Sequence, residues 1–392
     1  MSERIPLCRP AFGDAELQAL QETAASGWIG RGPRTIELEE RFAEYIGCQE
    51  AVSLNSATAA LHLALLTADV DGQEVLTTSM TFVSTNQAIL HAGGRPVFCD
   101  IDPETMAIDP QEIARKITPT TRAIVVMHYG GHACDMDPIL ELADKHGLWV
   151  IEDVAQGCGG SYKDRKLGSL GYIGCFSFQA TKNMTTGDGG MLVTGDAAVA
   201  ERARRLRWVG ITRPTWERFH PGPARRSWVY DIDEIGFKYE MNDLSACLGL
   251  VQLERLEELI TSRQRLLDRY RRELEDVEGI SMLRQHEYAA SACYNAVIKS
   301  DHRDELYEFL DDQGIDSNVH YYPNHLFSIF RPYTTRLPVT EAEWQRILSI
   351  PLYPDLQTKE QDHVISCLTS FAANKAGSDT TGTDSSRAAR TG

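Results

Sequence analysis

Over about the first 250 positions, short apolar runs alternate with amphipathic stretches. Ala51–Leu54, Glu74–Thr77, Arg95–Cys99, Ala123–Met127, Leu148–Ile151, Cys175–Phe178 and Gly190–Thr194 read as strands. Between them, Ala57–Leu66, Ser84–Ala92 and Pro138–His146 carry helical spacing, the last closed by Gly147. Leu148–Ile151 is apolar at every position, as a strand buried on both faces requires. Strand alternating with helix predicts an α/β fold, a mostly parallel sheet with helices on both faces.

From about Asn242 to Glu275 the pattern becomes one long helix, with Leu244, Leu248, Leu256, Leu259 and Leu266 on its apolar stripe. That helix is expected to leave the large domain, residues 1–250, and lead into a smaller α+β domain, residues 251–373. In the small domain Ala292–Ile298 and Ile315–Val319 read as strands. Arg303–Gln313, Thr340–Ile347 and Lys359–Phe371 read as helices. Residues 374–392 hold no large apolar side chain and cannot offset their own ordering entropy, so a disordered tail is expected there.

Charge narrows the partners. Thirty-nine Lys and Arg against 56 Asp and Glu give a net charge of −17, which disfavours nucleic acid and anionic membranes. MSERIPLCRP lacks the apolar core of a signal peptide, and no apolar run reaches the ~20 residues of a membrane span. The nine cysteines form no C-x-x-C pair, which favours buried reduced thiols in a cytoplasm over disulfides or a zinc ribbon, and no metal site is expected.

Candidate chemistry lies between residues 150 and 190. Asp153 follows an apolar strand, the edge where open α/β sheets bind ligands. Lys182 lies 29 residues on, just past a second strand and before Gly187-Asp-Gly-Gly190. Taken singly, Asp153 reads as a turn or N-cap aspartate and Lys182 as a surface lysine. As a pair they fit one chemistry better. A carboxylate beside a pyridine nitrogen keeps it protonated, and an amine across the ring can form a Schiff base, the recurring arrangement for pyridoxal 5′-phosphate (PLP). Asn55-Ser-Ala-Thr-Ala-Ala60 joins a strand to a helix, so amides around Ala57 and Thr58 could face a phosphate, with Thr58 and Ser177 hydroxyls as further donors. Simple N-capping by Ser56 or Thr58 explains that stretch equally well. Phe82, in a loop after a strand, could stack on a cofactor ring or serve as core.

These stretches, with Gly27-Trp-Ile-Gly-Arg-Gly-Pro33, His128-Tyr-Gly130, Asp135-Met-Asp137, Gly236–Asp243 and Leu348–Asp355, resemble the fold type I PLP enzymes of the DegT group, which aminate nucleotide-linked keto sugars. The likeness implies a large domain with a mostly parallel seven-stranded sheet and a smaller C-terminal domain. It makes Lys182 the Schiff-base lysine and proton carrier, and Asp153 the partner of the pyridine nitrogen. It makes Gln156 the partner of the PLP 3-hydroxyl, Ala57, Thr58 and Ser177 the phosphate cradle, and Phe82 the stacking ring. Lys238 falls in a segment that completes the phosphate site of a partner subunit, which implies a homodimer with shared sites. His320, Tyr322 and His325 match a stretch near the sugar nucleotide. Three positions depart from the group: Lys238 and Glu240 stand where asparagine and arginine are common, and Ala57 stands where glycine is usual.

The activity so implied is a two-stage exchange. L-Glutamate leaves its amine on the cofactor as pyridoxamine 5′-phosphate, and a nucleotide-linked 4-keto-6-deoxyhexose takes it to become a 4-amino-4,6-dideoxy sugar. Such sugars serve deoxysugar biosynthesis and glycosylation. Lys238-Tyr-Glu-Met-Asn-Asp243 looks closer to members acting on C4 than on C3, and a 3-keto sugar is the alternative acceptor. A PLP-dependent sugar dehydratase of the same fold is disfavoured, because those relatives carry histidine where this chain has Lys182.

Overall fold

A computed structural model describes residues 4–212 and 230–384, with side chains to residue 376. Helices α1 (Asp14–Ala25) and α2 (Pro33–Ile46) precede β1 (Glu50–Leu54), α3 (Ala57–Thr67), β2 (Glu74–Thr78), α4 (Val83–His91) and β3 (Arg95–Cys99). Then come α5 (Pro110–Lys116), β4 (Thr121–Met127), α6 (Met136–His146), β5 (Trp149–Asp153) and a hairpin of β6 (Ser161–Tyr162) and β7 (Arg165–Lys166). Next come β8 (Ile173–Ser177), β9 (Gly190–Thr194), α7 (Ala197–Leu206) and α8 (Asp243–Leu274).

Seven strands form the central sheet in the order β1-β9-β8-β5-β4-β2-β3, and only β9 runs antiparallel to its neighbours. Alternate strand residues enter two cores. Ile124, Val126 and Val150 pack with Leu38, Phe42 and Met136 under α2 and α6, while Val125, Ile151 and Leu192 pack with Leu61, Leu65 and Ala200 under α3 and α7. Covering both faces explains the continuous apolar runs. The strands other than β9 end on one edge, where Leu54 and Ser177 both lie opposite Gly190, so the loops after β1, β2, β4, β5 and β8 cluster there.

Two buried carboxylates fix the frame of that edge. Glu39 on α2 accepts the Ser53 N–H and hydroxyl and pairs with Arg207 and Arg31, tying α2 to β1 and to the end of α7. Burial alone would raise the Glu39 carboxyl, but Arg207 and Arg31 hold it at about 2. Removing one member of such a buried pair costs about 3–5 kcal/mol. Asp243 opens α8 and accepts the N–H groups of Gly32, Arg34 and Thr35, so it caps α2 from a distance.

The residues after α8 depart from the sequence reading, and the strand expected over Ala292–Ile298 begins only at Ala296. The helix expected over Thr340–Ile347 stops early as α10 (Pro338–Glu343), following α9 (Arg303–Asp312). Ile347–Ile350 is instead a strand, β13, which joins β10 (Ser281–Met282) and β12 (Ala296–Lys299) in the order β10-β12-β13, while β11 (Ala289–Ala290) pairs with β6. Ile315–Val319 makes single bridges only, from Ile315 to Ile5 and from Asn318 to Ser349. The tail expected to be disordered from residue 374 begins as helix, because α11 (Thr358–Asp384) runs on past its buried anchors Leu368 and Phe371; residues 385–392 lie outside the described residues. Among the described residues no helix is long and apolar enough to cross a membrane.

Candidate active site

A cavity of about 440 Å³ opens on the strand-end edge. Ala57, Thr58, Phe82, Asp153, Gln156, Ser177 and Lys182 all line it, together with His320 from the C-terminal part of the chain.

Asp153, at the end of β5, is buried and accepts from the Thr85 hydroxyl at 2.7 Å and the Ala155 N–H at 3.0 Å. Burial pushes its carboxyl up, while these two bonds and the nearby Lys182 charge draw it down. The net direction is upward, so a cation brought into the cavity beside it would be favoured. Half-buried Lys182 donates its Nζ to the Tyr294 hydroxyl at 3.0 Å.

Ser56 caps α3 by accepting the Ala59 N–H, and its carbonyl takes the Ala60 N–H. The N–H groups of Ala57 and Thr58, first in the helix, have no intrahelical partner and line the cavity, as an anion site needs. Gly190 permits this layout, since a Cβ there would sit 2.4 Å from the Ser56 carbonyl carbon. Gln156 is oriented from both ends: its Oε1 accepts the Gly130 N–H at 2.7 Å and its Nε2 donates to the Tyr321 hydroxyl at 2.6 Å, leaving one amide N–H for a ligand. The Phe82 ring is 55% exposed, enough free face to cover a flat ligand. A buried carboxylate with no cation in contact among the described residues, an amine, open helix-terminal amides and an exposed aromatic face together fit PLP.

The expected trio from the small domain is split. His320 lines the cavity, and its Nδ1 lies 2.9 Å from the Ser349 hydroxyl. Burial, then the Lys182 charge, lowers it to about 4, so it is neutral at neutral pH. Tyr322 is exposed and packs on Phe327 and Trp344, and His325 is buried against Ser79, 2.7 Å away, so neither lines the cavity. Tyr321 takes the wall position between them. Sequence reasoning also missed Tyr294 and Thr85. Thr85 could have been found one residue short of a turn beyond Phe82, on the same strand-end loop and helix. Lys238 stays out of its own chain's cavity: 64% exposed, its Nζ lies over the Trp208 ring and pairs with Glu240. A second cleft, about 500 Å³, is lined by Arg204, Arg205 and Arg207, but each of these already has a carboxylate partner.

Residues 10–369 match the model of the DegT/DnrJ/EryC1/StrS aminotransferase family. The chain belongs to that family. Among curated relatives, the spore coat polysaccharide biosynthesis protein SpsC of Bacillus subtilis is 38% identical over 373 residues, 92% of this chain and 95% of the relative. Among solved structures, the sugar aminotransferase CalS13 of Micromonospora echinospora is 32% identical with a TM-score of 0.87, covering 93% of this chain and 99% of its own. Spr1654 of Streptococcus pneumoniae, solved in a PLP-form, is 29% identical with a TM-score of 0.88 over 95% of this chain and 99% of its own. A PMP-form of the same protein has a TM-score of 0.89. For a DegT-family aminotransferase, the cavity where Asp153 and Lys182 meet is the candidate active site.

Proposed function

We propose that this chain is a PLP-dependent aminotransferase that moves the amino group of L-glutamate to a nucleotide-linked 4-keto-6-deoxyhexose, giving a 4-amino-4,6-dideoxy sugar. The observation that carries this reading is the meeting of Asp153, Lys182 and the open end of α3 on one cavity. Bound PLP would supply an electron sink for the carbon that loses a proton. The chain's own residues do the rest. Asp153 would keep the pyridine nitrogen of the bound cofactor protonated, and Lys182 would hold the cofactor and serve as the proton carrier. The Ala57 and Thr58 amides and the Ser177 hydroxyl would hold the phosphate, Gln156 would donate to the ring hydroxyl, and Phe82 would cover the ring. Neutral His320 stands at the small-domain wall, able to bond a sugar hydroxyl without competing with Lys182 for charge.

The sugar aminotransferase CalS13 and the PLP- and PMP-forms of Spr1654 support the reaction class, and SpsC's polysaccharide pathway supports a glycan destination for the amino sugar. A homodimer follows from the same reading. Lys238 is exposed, and in the neighbouring stretches Val209 and Ile232 are partly exposed and Ile235 is 90% exposed in the single chain. A partner seated on that apolar patch would bring Lys238 toward the partner's phosphate site. We take the enzyme to be cytoplasmic, since all nine cysteines are unbridged, as a reducing compartment would keep them.

The test separates the position of amination from the reaction class. The protein, PLP and L-glutamate are incubated with dTDP-linked 4-keto- and 3-keto-6-deoxyhexoses separately, and the products are assigned by NMR. Amination of the 4-keto compound is expected. Amination of the 3-keto compound alone would move the acceptor carbon and leave the chemistry standing, whereas amination of neither would overturn the reading.

A further inference from the structure

The sequence places Tyr294 in an expected strand, Ala292–Ile298, and gives it no chemistry, yet it holds the reactive amine. Lys182 Nζ donates to the Tyr294 hydroxyl at 3.0 Å and lies 4.3 Å from the centre of the Tyr294 ring. The tyrosine itself is held firmly. It is 8% exposed, its N–H donates to the Gly130 carbonyl at 3.1 Å, and the Ala292 N–H donates to the Gly131 carbonyl at 2.8 Å. The turn that receives these bonds also supplies the Gly130 N–H that orients Gln156. One short turn after β4 therefore sets both the amide of Gln156 and the phenol beside Lys182.

We propose that Tyr294 is a positioning residue for Lys182. An uncharged amine has two N–H bonds and one lone pair in a tetrahedral arrangement. When one N–H is committed to the Tyr294 oxygen, the lone pair is restricted to the directions that remain, and the cavity lies among them. Free rotation about the lysine side chain would spread the lone pair over directions in which no carbonyl carbon can be attacked. Asp153 and His320 also face Lys182 electrostatically, but neither is its hydrogen-bond partner, so the tyrosine alone holds the amine among the described residues. The proposal rests on the proposed function for what Lys182 attacks. It does not rest on it for the attack itself.

The test therefore starts without cofactor. Apo-protein is treated briefly with formaldehyde and cyanoborohydride, and methylation of Lys182 is quantified by peptide mass spectrometry against the other lysines of the same digest. In this reaction the amine attacks the formaldehyde carbon, water leaves, and hydride from the cyanoborohydride reduces the resulting iminium. Tyr294→Phe keeps the ring and its packing and removes only the hydroxyl. Methylation at Lys182 is expected to slow by about 5-fold, the equivalent of one net hydrogen bond, with the other lysines unchanged. In the loaded enzyme kcat is expected to fall by a similar factor while the KM values and PLP affinity hold. Should near-UV circular dichroism show that Tyr294→Phe is misfolded, Tyr294→Gln, which keeps an acceptor on a flexible chain, replaces it and is expected to slow Lys182 by less than 5-fold. Wild-type labelling rates at Lys182 in the folded variant would overturn the proposal. Slowed labelling in a protein that aminates no sugar would sustain it while removing the proposed function.

Discussion

Lys182→Ala is expected to abolish amino transfer, a loss of at least ~10⁴-fold, the upper range for a positioned proton carrier, with the covalent hold on the cofactor lost as well. The fold should survive. Lys182 sits half-buried in the loop after β8, and among the described residues its one side-chain hydrogen bond runs to Tyr294, so the change removes little packing. A net hydrogen bond is worth about 1 kcal/mol. Thermal unfolding should therefore shift by only a few degrees while sugar amination disappears. Borohydride reduction followed by mass spectrometry adds a direct reading: the wild-type peptide containing Lys182 should gain the mass of the reduced cofactor, and the variant should gain none. Near wild-type turnover in Lys182→Ala, without added amine, would show that another group does this work.

Asp153→Asn is expected to cost about 10²–10⁴-fold in kcat, the range for a positioned acid–base group or preorganised charge. Asparagine keeps the shape and can still accept the Ala155 N–H through its one oxygen, with its Nδ2 donating to the Thr85 oxygen, but it carries no charge to hold a pyridine nitrogen protonated. Asp153→Ala removes charge and hydrogen bonds together and should cost more. Because burial already makes the Asp153 carboxylate expensive, the substitution should not weaken the apo-protein, and its unfolding temperature should be equal to or above that of the wild type. An Asp153→Asn protein with unchanged kcat would remove the charge from the mechanism.

The sheet was legible in the sequence because both of its faces are covered. Leu148–Ile151 shows its burial in four consecutive apolar residues, and Asp153 stands out as the first charge of β5 that faces the ligand edge. Glu152, one residue earlier, points to the other face and bonds the loop from Gly168 to Gly171. That is the strand alternation at work, and it separates the two carboxylates cleanly.

The stretch after α8 was harder to read. Ile347–Ile350 is only four residues long, and its strand character comes from pairing with Ala296–Lys299, about fifty positions away, so local periodicity could not reveal it. The same reason hid Tyr294, whose contact with Lys182 spans 112 positions. His320-Tyr-Tyr-Pro-Asn-His325 showed its aromatic and imidazole groups but not their directions; the chain turns there so that His320 and Tyr321 face the cavity while Tyr322 and His325 do not.

The most direct measurement follows the first half of the exchange alone. Purified protein is loaded with PLP, and L-glutamate is added with no sugar present while the visible spectrum of the bound cofactor is recorded and 2-oxoglutarate is assayed. The visible band should disappear, with one 2-oxoglutarate released for each loaded site. A band that persists, with no 2-oxoglutarate formed, would contradict the assignment of Asp153 and Lys182 to amino transfer from glutamate.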